Sequence, residues 1–370
     1  MAKEQGMSAQ AIRVGIIGTG FWASYGHIPA LRTLPEFEVV AVSARRKESA
    51  QQAAEKFGIP HAYEDAHDLI KDPDVDLVAV LTPTSQRVPL VKAAIEAGKD
   101  VYSEWPLTTR TSDSEELLAL AEAKGVRHVV GLQRRQGPAV RYARDLVAQG
   151  YVGDVRAARI SVGVDAFPPV MPEKVAWTFD VDAFTHVLSI YGGHFLDVLF
   201  QIVGPPKDLT AIVETQFPEL TVLETGKTVS SAKPDEVMAI GTLENGGLFS
   251  VQLEGAQKFP TGLQIDITGT EGVLRLTNDR AFENAEDNTV HGVNGDSGNG
   301  ATLAVLPVPE EYRSLPDASL DESVQDLAHL YAAFARDKAT GTSEATTFED
   351  AVRQHHLIDR TQQASEEFSA

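Results

Sequence analysis

The feature that most constrains the fold is the segment Gly18-Thr19-Gly20-Phe21-Trp22-Ala23, which directly follows an apolar run at residues 11–17. In this Gly-x-Gly-x-x-Ala pattern the first glycine permits a tight turn, the second lets a pyrophosphate approach the backbone, and the alanine allows close helix packing. The N–H groups at the start of the following helix are donors for phosphate oxygens. Two glycines at this spacing also occur in simple turns, but at the first strand-to-helix junction they predict a dinucleotide site.

Up to about Arg134, short apolar runs alternate with amphipathic stretches, which is the pattern of βαβ units and a parallel sheet. Strands are predicted at residues 11–17, 37–43, 75–81, 100–102 and 127–132. Helices are predicted at residues 23–34, 47–57, 86–97 and 112–124. A glycine follows each of the last three helices, as a helix C-cap requires. This half of the chain therefore predicts an α/β Rossmann domain.

The second half of the sequence has a different residue pattern. After a helix predicted at 138–149, β-branched residues alternate with polar ones, and strands are predicted at 152–164, 209–214, 237–243, 248–253, 263–268 and 272–276. Residues 284–301 predict a loop, and residues 323–336 and 347–365 predict helices. We expect an NAD(P)-binding Rossmann domain at 10–135 and, at 136–370, an α+β domain with an open, mainly antiparallel sheet. The second domain would carry substrate and oligomer contacts, and its helices within 323–365 could pack back on the first.

Charge and cysteine content exclude several functions. The 53 acidic residues exceed the 32 basic ones and give a formal net charge of −21, which would repel nucleic-acid phosphates and anionic lipids. There is no cysteine, so thiol catalysis, disulfides and cysteine-ligated metals are excluded, and we expect no metal centre. The first ten residues hold no apolar stretch of signal-peptide length, and no later run is long enough to span a bilayer. We expect a cytoplasmic protein with no direct nucleic-acid or membrane partner.

The end of the second predicted strand bears on which dinucleotide binds. An acid at this position accepts hydrogen bonds from the ribose hydroxyls of NAD, but here the segment is Ser43-Ala44-Arg45-Arg46-Lys47. Arg45 or Arg46 could pair a 2′-phosphate bidentately, and Ser43 could add a hydroxyl donor. The segment therefore favours NADP over NAD. The alternative is that these cations are solvated charges at the start of a helix.

Four further segments carry a family resemblance: Leu81-Thr82-Pro83-Thr84, Tyr102-Ser103-Glu104-Trp105-Pro106-Leu107, Gly193-His194-Phe195-Leu196-Asp197 and Thr347-Phe348-Glu349-Asp350-Ala351. With the fingerprint, they make the chain resemble the glucose-fructose oxidoreductase, inositol dehydrogenase and MocA family over nearly its whole length. The resemblance implies a Rossmann domain followed by an open-sheet domain, and oxidation or reduction of sugars and cyclitols with NAD(P). It also implies cofactor contacts at Thr82, Pro83, Thr84, Arg87, Glu104, Trp105, Pro106 and Gln133.

The sequence departs from the family pattern at positions that matter for proton transfer. Trp105 stands where the family has the lysine of Glu-Lys-Pro, Ile190 matches the acid four residues before the motif histidine, and Arg87 falls where a histidine is common. Neither an indole nor an aliphatic side chain exchanges protons at neutral pH. Segments including Gln133-Arg134-Arg135-Gln136 make the chain most similar to the branch of the yeast galactose-regulon repressor, whose members bind a dinucleotide and an activator and are not known for catalysis. Biliverdin reductases, which share an aromatic residue at the lysine position, are active.

His194 is the best remaining candidate for a catalytic acid or base, because an imidazole can exchange a proton in either direction near neutral pH. Asp197, three residues later on a predicted helix, could orient the imidazole, and Tyr191 on the same face could donate a proton instead. The alternative is that His194 and Asp197 only tie a buried helix to the sheet.

Three further residues are candidates for substrate contacts. Arg134 and Arg135 follow the last Rossmann strand and could fix a substrate carboxylate or the cofactor, or could be surface cations. Trp177 could stack on a sugar or serve packing alone.

The sequence predicts an NAD(P)-dependent oxidoreductase that acts on a sugar, a cyclitol or a related small hydroxyl or carbonyl compound. The alternative is a non-catalytic dinucleotide-binding regulator. An open sheet face would expose apolar side chains, which favours a homodimer or homotetramer.

Overall fold

The first half of the chain folds around a parallel sheet. The computed structural model describes residues 11–281, 287–295, 300–316 and 319–369. Six strands form this sheet: β1 (Ile12–Ile17), β2 (Phe37–Ser43), β3 (His61–Tyr63), β4 (Leu77–Val80), β5 (Asp100–Glu104) and β6 (His128–Gly131). Their order is β3-β2-β1-β4-β5-β6, and every neighbouring pair is parallel. This is the doubly wound order with its topological switch between β1 and β4, so the predicted Rossmann fold is confirmed.

Helices cover this sheet at α1 (Ile28–Arg32), α2 (Lys47–Phe57), α3 (Ala66–Lys71), α4 (Arg87–Glu96) and α5 (Thr111–Lys124). The helix predicted at 23–34 begins with a π-helical turn, Ala23–His27, before α1. Strand β3 and helix α3 were not predicted, because elements of three and six residues show no measurable hydrophobic period. Gly58 and Gly125 adopt left-handed conformations, with φ of 57° and 64°, and end α2 and α5 as predicted.

A larger mixed sheet forms the centre of the second half. Its strands are β7 (Val155–Gly163), β9 (Pro206–Glu214), β12 (Glu236–Leu243), β13 (Leu248–Glu254), β14 (Gly262–Gly269), β15 (Gly272–Asn278), β16 (Thr289–Asn294) and β17 (Ala304–Val305). They are ordered β17-β16-β15-β14-β7-β13-β12-β9, and only β13 and β7 run parallel among these described pairs. The expected open, mainly antiparallel sheet is thus confirmed. Three short strands, β8 (Val170–Met171), β10 (Glu219–Val222) and β11 (Thr228–Ser230), form a separate sheet that the sequence did not predict.

Strand β16 contradicts the loop predicted at 284–301. Residues 289–294 pair with β15 along six positions, from Gly272 opposite Asn294 to Thr277 opposite Thr289. The asparagine and glycine content of the segment hid a strand whose main apolar anchor is the buried Val290. The parts of the predicted loop at 284–286 and 296–299 lie outside the described residues, as do the first ten residues of the chain.

The remaining helices connect the two halves. They are α6 (Pro138–Ala148), α7 (Gly193–Val203), α8 (Glu322–Thr340) and α9 (Phe348–Ser369), and a π-helical segment, Leu188–Gly192, leads into α7. Helix α8 shares one hydrophobic core with β1, through residues such as Leu327 and Val14. Helix α9 packs on α5 and on β9. Within the described ranges, no helix is both long enough and apolar enough to cross a bilayer.

Candidate functional site

The fingerprint loop forms an open cradle at the carboxyl end of the first sheet. Gly18 has a φ of 104°, and a Cβ atom there would lie 3.1 Å from the Leu81 carbonyl, so a side chain would be both strained and crowded. A Cβ atom on Gly20 would meet nothing within 4 Å. The Gly18 N–H donates to the Ser43 carbonyl at 2.9 Å, which ties the loop to the end of β2. The residues of the loop therefore fit a dinucleotide diphosphate, held by backbone N–H groups in open space.

The basic segment after β2 is available to a ligand. Ser43 is buried, whereas Arg45 and Arg46 are exposed. Arg46 donates one hydrogen bond, to the Ser49 hydroxyl at 3.1 Å. Within the described part of the chain neither guanidinium forms an ion pair, so both remain free to bind a phosphate group.

Arg87 links the loops that follow β4 and β5. Its guanidinium is buried and donates to the Thr82 carbonyl at 2.8 Å, the Glu104 carbonyl at 2.7 Å, and the Pro106 carbonyl. Burial lowers the pKa of Arg87 to about 10, against the opposing charge of Glu104. All three acceptors are backbone groups, so Arg87 positions the loops after β4 and β5. The Thr82 hydroxyl is buried and has no hydrogen-bond partner among the described residues, and this leaves it free for a ligand. Thr84 is buried in the same loop.

Glu104 is the acceptor at the centre of an aromatic cluster. Its Oε1 accepts hydrogen bonds from the Trp22 indole at 3.1 Å and the Tyr102 hydroxyl at 3.0 Å, and lies 2.6 Å from His27 Nε2. His27 Nδ1 lies 2.8 Å from the hydroxyl of Tyr331, on α8. Burial alone would raise the pKa of Glu104, but the contacts with His27, the charge of Arg87 and the hydrogen bond from Tyr102 together outweigh it and hold the pKa below its usual value. The end of β5 thus presents a fixed carboxylate. No motif in the sequence pointed to His27 or Tyr331.

Trp105, expected to contact the cofactor, is instead packed between the two halves. Its indole nitrogen donates to the Ser189 carbonyl at 2.8 Å, and its ring centroid lies 4.9 Å from that of His355. A Cβ atom on Gly193 would lie 1.9 Å from the same nitrogen. The Trp105–Pro106 peptide bond is cis. Because the indole is 4% exposed and its only donor is engaged, we assign this side chain to packing.

His194 lies buried at the start of α7, with 5% of its surface exposed. Burial, together with the charge of Arg134, lowers its pKa to about 3, although Glu104 acts in the opposite direction. The imidazole is therefore neutral at pH 7 and can accept a proton or hydrogen bond. The fold brings His194, Arg134 and Glu104 close enough to influence one another electrostatically, which joins the start of α7 to the strand ends of the first sheet.

Asp197 and Arg135 differ from the roles expected of them. Arg135 donates to Asp197 through Nε at 2.8 Å and through Nη2, and to Asp350 through Nη1 at 3.0 Å. The Asp197 carboxylate is thereby bound by the Arg135 guanidinium, and Arg135 is paired with two acids. Burial raises the pKa of Asp197, and the charge of Arg135 opposes that rise. Arg134 pairs with Asp326 of α8 at 3.1 Å, with both side chains buried.

Tyr191 and Trp177 belong to the second half, and Gln133 follows the last strand of the first sheet. Tyr191 is half-buried, with its ring edge-on to Phe167 at 6.0 Å. Trp177 is 48% exposed, so packing does not account for it. Gln133 is buried, and its Oε1 has no hydrogen-bond partner in the part of the chain that the structure describes.

Lys233 was not among the residues predicted from the sequence. This buried side chain lies 4.9 Å from the Phe167 ring centroid and donates to the Thr178 carbonyl at 2.5 Å. Burial lowers its pKa to about 8. Its surroundings, Ala232 and Pro234, form no recognisable motif, so only the burial of the ammonium group reveals it.

Two family models match the chain. Residues 12–132 match the oxidoreductase family with an NAD-binding Rossmann fold, and residues 138–278 match the C-terminal domain of Gal80p. The two matches together extend from the first strand to the end of β15.

Curated relatives include both enzymes and regulators. The dehydrogenase aclE of Aspergillus oryzae is 31% identical over 286 residues, which cover 72% of this chain and 77% of the relative. The galactose/lactose metabolism regulatory protein GAL80 of Kluyveromyces lactis is 26% identical over 319 residues, covering 80% of this chain and 70% of the relative.

Among solved structures, levoglucosan dehydrogenase in complex with NADH and L-sorbose superimposes with a TM-score of 0.85 at 24% identity, covering 97% of each chain. At this identity the match shows a shared fold.

Proposed function

Since the chain belongs to the glucose-fructose oxidoreductase, inositol dehydrogenase and MocA family, we propose that it is an NAD(P)-dependent oxidoreductase. Its reaction would be hydride transfer between the nicotinamide and a carbon–oxygen centre of a sugar, a cyclitol or a related small hydroxyl or carbonyl compound. The observation that carries the proposal is that Glu104 links the fingerprint loop to His194: it accepts a hydrogen bond from Trp22 of that loop, and its charge acts on the neutral imidazole of His194. A dehydrogenase such as aclE among the relatives supports the same activity.

Different residues would bind the cofactor, position it and accept the proton. Gly18, Gly20 and the N–H groups of the following turn would bind the diphosphate, and Arg87 holds the loops after β4 and β5 in place for the rest of the dinucleotide. When bound, NAD(P) supplies the hydride acceptor or donor. His194, which is neutral at pH 7, accepts the hydroxyl proton as the alcohol is oxidised, with Tyr191 as the second candidate for that proton.

We propose NADP as the preferred cofactor. The support is the pair of exposed arginines just after β2, which form no ion pair with any described residue, together with the lack of an acid in the segment from Ser43 to Lys47. A 2′-phosphate would pair with one guanidinium fork or with both, whereas the ribose hydroxyls of NAD would gain no charged partner there.

The proposal is tested by following absorbance near 340 nm with both dinucleotides over a panel of sugars, cyclitols and polyols. Turnover of at least one compound is expected, and His194→Gln should reduce kcat by about 100-fold or more, the usual contribution of a general base. Unchanged cofactor binding by the variant would show that it is folded. Loss of dinucleotide binding in the unmodified chain, or full activity in His194→Gln, would contradict the proposal.

A second candidate function is regulation through a protein partner, with the dinucleotide as a ligand that is not turned over. Two observations favour it: the C-terminal half matches the Gal80p C-terminal domain, and the position of the catalytic lysine implied by the family is filled by the packed Trp105. This candidate predicts dinucleotide binding with no turnover on any compound of the panel.

We further propose that the chain forms a homodimer or homotetramer in the cytoplasm. One face of the eight-stranded sheet exposes Met238, Ile240 and Leu248, of which Ile240 is 59% exposed. A second copy would cover this apolar surface. The net charge of −21 supports a protein with no direct nucleic-acid or membrane partner.

A further inference from the structure

A cavity of about 640 Å³ lies where α6, α8 and the start of α9 meet the segment Gln133–Gln136. None of its lining residues belongs to the fingerprint loop or to the loops after β2, β4 and β5. Five arginines line it, namely Arg135, Arg141, Arg144, Arg336 and Arg353, against the acids Glu344, Glu349 and Asp350. In a chain with a net charge of −21, this concentration of guanidinium groups needs an explanation.

Arg141 lines the cavity and forms no ion pair with an acid within the described ranges. Its Nε donates to the Gln136 carbonyl at 3.0 Å, its Nη2 donates to the Tyr312 carbonyl, and the guanidinium carbon lies 5.7 Å from the Tyr312 ring centroid. No carboxylate among the described residues pairs with it, and its Nη1 donates to none of them. Burial lowers the pKa of Arg141, and the charges of Arg336 and Arg144 lower it further. The charges of Asp326 and Asp145 act in the opposite direction, but the guanidinium itself is held in place by neutral groups.

His329, on α8, lies near Arg141 and Arg336. It is buried, and its Nε2 has no hydrogen-bond partner within the described ranges. Burial lowers its pKa to about 3, and the charges of Arg141, Arg336 and Arg313 act in the same direction. The imidazole is therefore neutral at pH 7, mainly because it is buried, and it adds no positive charge beside Arg141 and Arg336.

The acids at the mouth of the cavity can give way to a ligand. Glu344 pairs with Arg336 at 2.8 Å, but the two side chains are 50% and 49% exposed. Arg144 pairs with Asp145 at 2.9 Å, also at the surface. Exposed pairs of this kind contribute about 0–1 kcal/mol, so a ligand with more charge can displace them. The planar guanidinium fork matches the oxygens of phosphate bidentately, which a lysine ammonium cannot do.

We propose that this cavity binds a small anion bearing a phosphate group, with Arg141 at its base and Arg144 and Arg336 at its mouth. A phosphate monoester fits better than a monocarboxylate because it carries close to two negative charges at neutral pH and offers three acceptor oxygens to three guanidinium groups. The site is separate from the dinucleotide crevice and does not depend on whether the chain is an enzyme or a regulator.

The test is a calorimetric titration of inorganic phosphate into the full chain at constant ionic strength. Arg336→Ala and Arg144→Ala should each weaken phosphate binding by about tenfold, the loss that corresponds to 1.4 kcal/mol. Glu344→Gln should instead tighten binding several-fold, because it removes the acid that competes for Arg336. A matched control is Arg110→Ala, which removes an exposed arginine that also pairs with an acid, Asp113, but lies outside the cavity.

The direction in which each variant changes the phosphate affinity shows whether phosphate binds in this cavity or in the fingerprint loop. Phosphate that binds only in the fingerprint loop would leave the affinities of all three cavity variants equal to that of the unmodified chain, and this result would overturn the proposal. Lack of measurable phosphate binding in the unmodified chain would overturn it as well. Thermal midpoints measured without phosphate show whether each variant is folded, and the opposite directions expected for Arg336→Ala and Glu344→Gln cannot both arise from a loss of stability.

Discussion

The indole of Trp105 packs directly against the backbone of Gly193, so that a Cβ atom on Gly193 would lie 1.9 Å from the indole nitrogen. Gly193 has helical dihedral angles, with φ of −55° and ψ of −53°, so its backbone does not require glycine. Glycine is required at position 193 because the Trp105 indole leaves no room for a side chain. Trp105 comes from the end of the first sheet and Gly193 from the start of α7, so this pair fixes how closely the two halves approach.

Gly193→Ala is accordingly expected to destabilise the protein by about 2 to 3 kcal/mol, the cost of an overpacked core site, even though alanine is the better helix former. Denaturant unfolding measures the loss. In the background of Trp105→Leu, the same alanine should cost little, because the obstructing ring is gone. Equal costs in the two backgrounds would show that the two residues do not interact.

The dinucleotide preference rests on Arg45 and Arg46. Changing both to alanine should weaken NADP binding by about tenfold to 100-fold, because one or two charge-assisted bonds to the 2′-phosphate are lost. The affinity for NAD should stay the same. Fluorescence titration with each dinucleotide measures both constants, and Lys47→Ala, an exposed cation next to the pair, is the matched control. An equal loss of affinity for NADP and NAD would contradict the assignment of Arg45 and Arg46 to the 2′-phosphate.

The low pKa of His194 has a consequence for the pH profile. A group with a pKa of about 3 is already neutral throughout the range from pH 5 to pH 8, so its proton-accepting form does not change there. We expect kcat for alcohol oxidation to show no inflection from His194 in that range. Profiles of the unmodified chain and of His194→Gln should therefore be parallel and differ in height. His356→Gln, which changes an exposed histidine, serves as the control. An inflection near pH 6.5 that disappears in His194→Gln would contradict the assignment.

Lys233 should make stability depend on pH in the alkaline range. Its pKa is lowered from 10.5 to about 8 in the folded protein, so between these pH values the unfolded chain binds the proton and the folded chain does not. The penalty of burying the ammonium group is therefore present below pH 8 and disappears as the pH rises towards 10.5. Lys233→Met should be most favourable relative to the unmodified chain at pH 7 and should lose that advantage by pH 10. Thermal midpoints at both pH values test this, with the exposed Lys227→Met as control.

The exposed apolar face of the large sheet predicts association. Ile240→Asp places a charge at the centre of this face and should shift the protein towards monomer in light scattering, because the charge would have to be buried in the interface. Leu223→Asp changes a side chain that is equally exposed but lies outside the eight-stranded sheet, and it should leave the assembly unchanged. A monomeric unmodified chain would rule out an interface on this face.

Local patterns predicted local structure well. The strand Phe37–Ser43 and the helix Lys47–Phe57 were predicted at their observed bounds, since a β-branched run and a glycine cap mark them directly. The helical spacing of His194 and Asp197 was also right. That spacing could not predict that Arg135 would form an ion pair with Asp197, because the arginine comes from another element. The contact between His27 and Tyr331 joins residues 304 positions apart, and a single sequence carries no pattern for such a pair.

That contact also sets an order of events during synthesis. Tyr331 lies on α8, which follows the whole of the second half along the chain, yet it closes the cluster around Glu104 in the first half. A ribosome must therefore produce both halves before the cluster around Glu104 at the end of β5 can take its final form. A nascent chain released after the first sheet would expose the apolar surface that Leu327 and Phe334 otherwise cover, and chaperones would be expected to hold it.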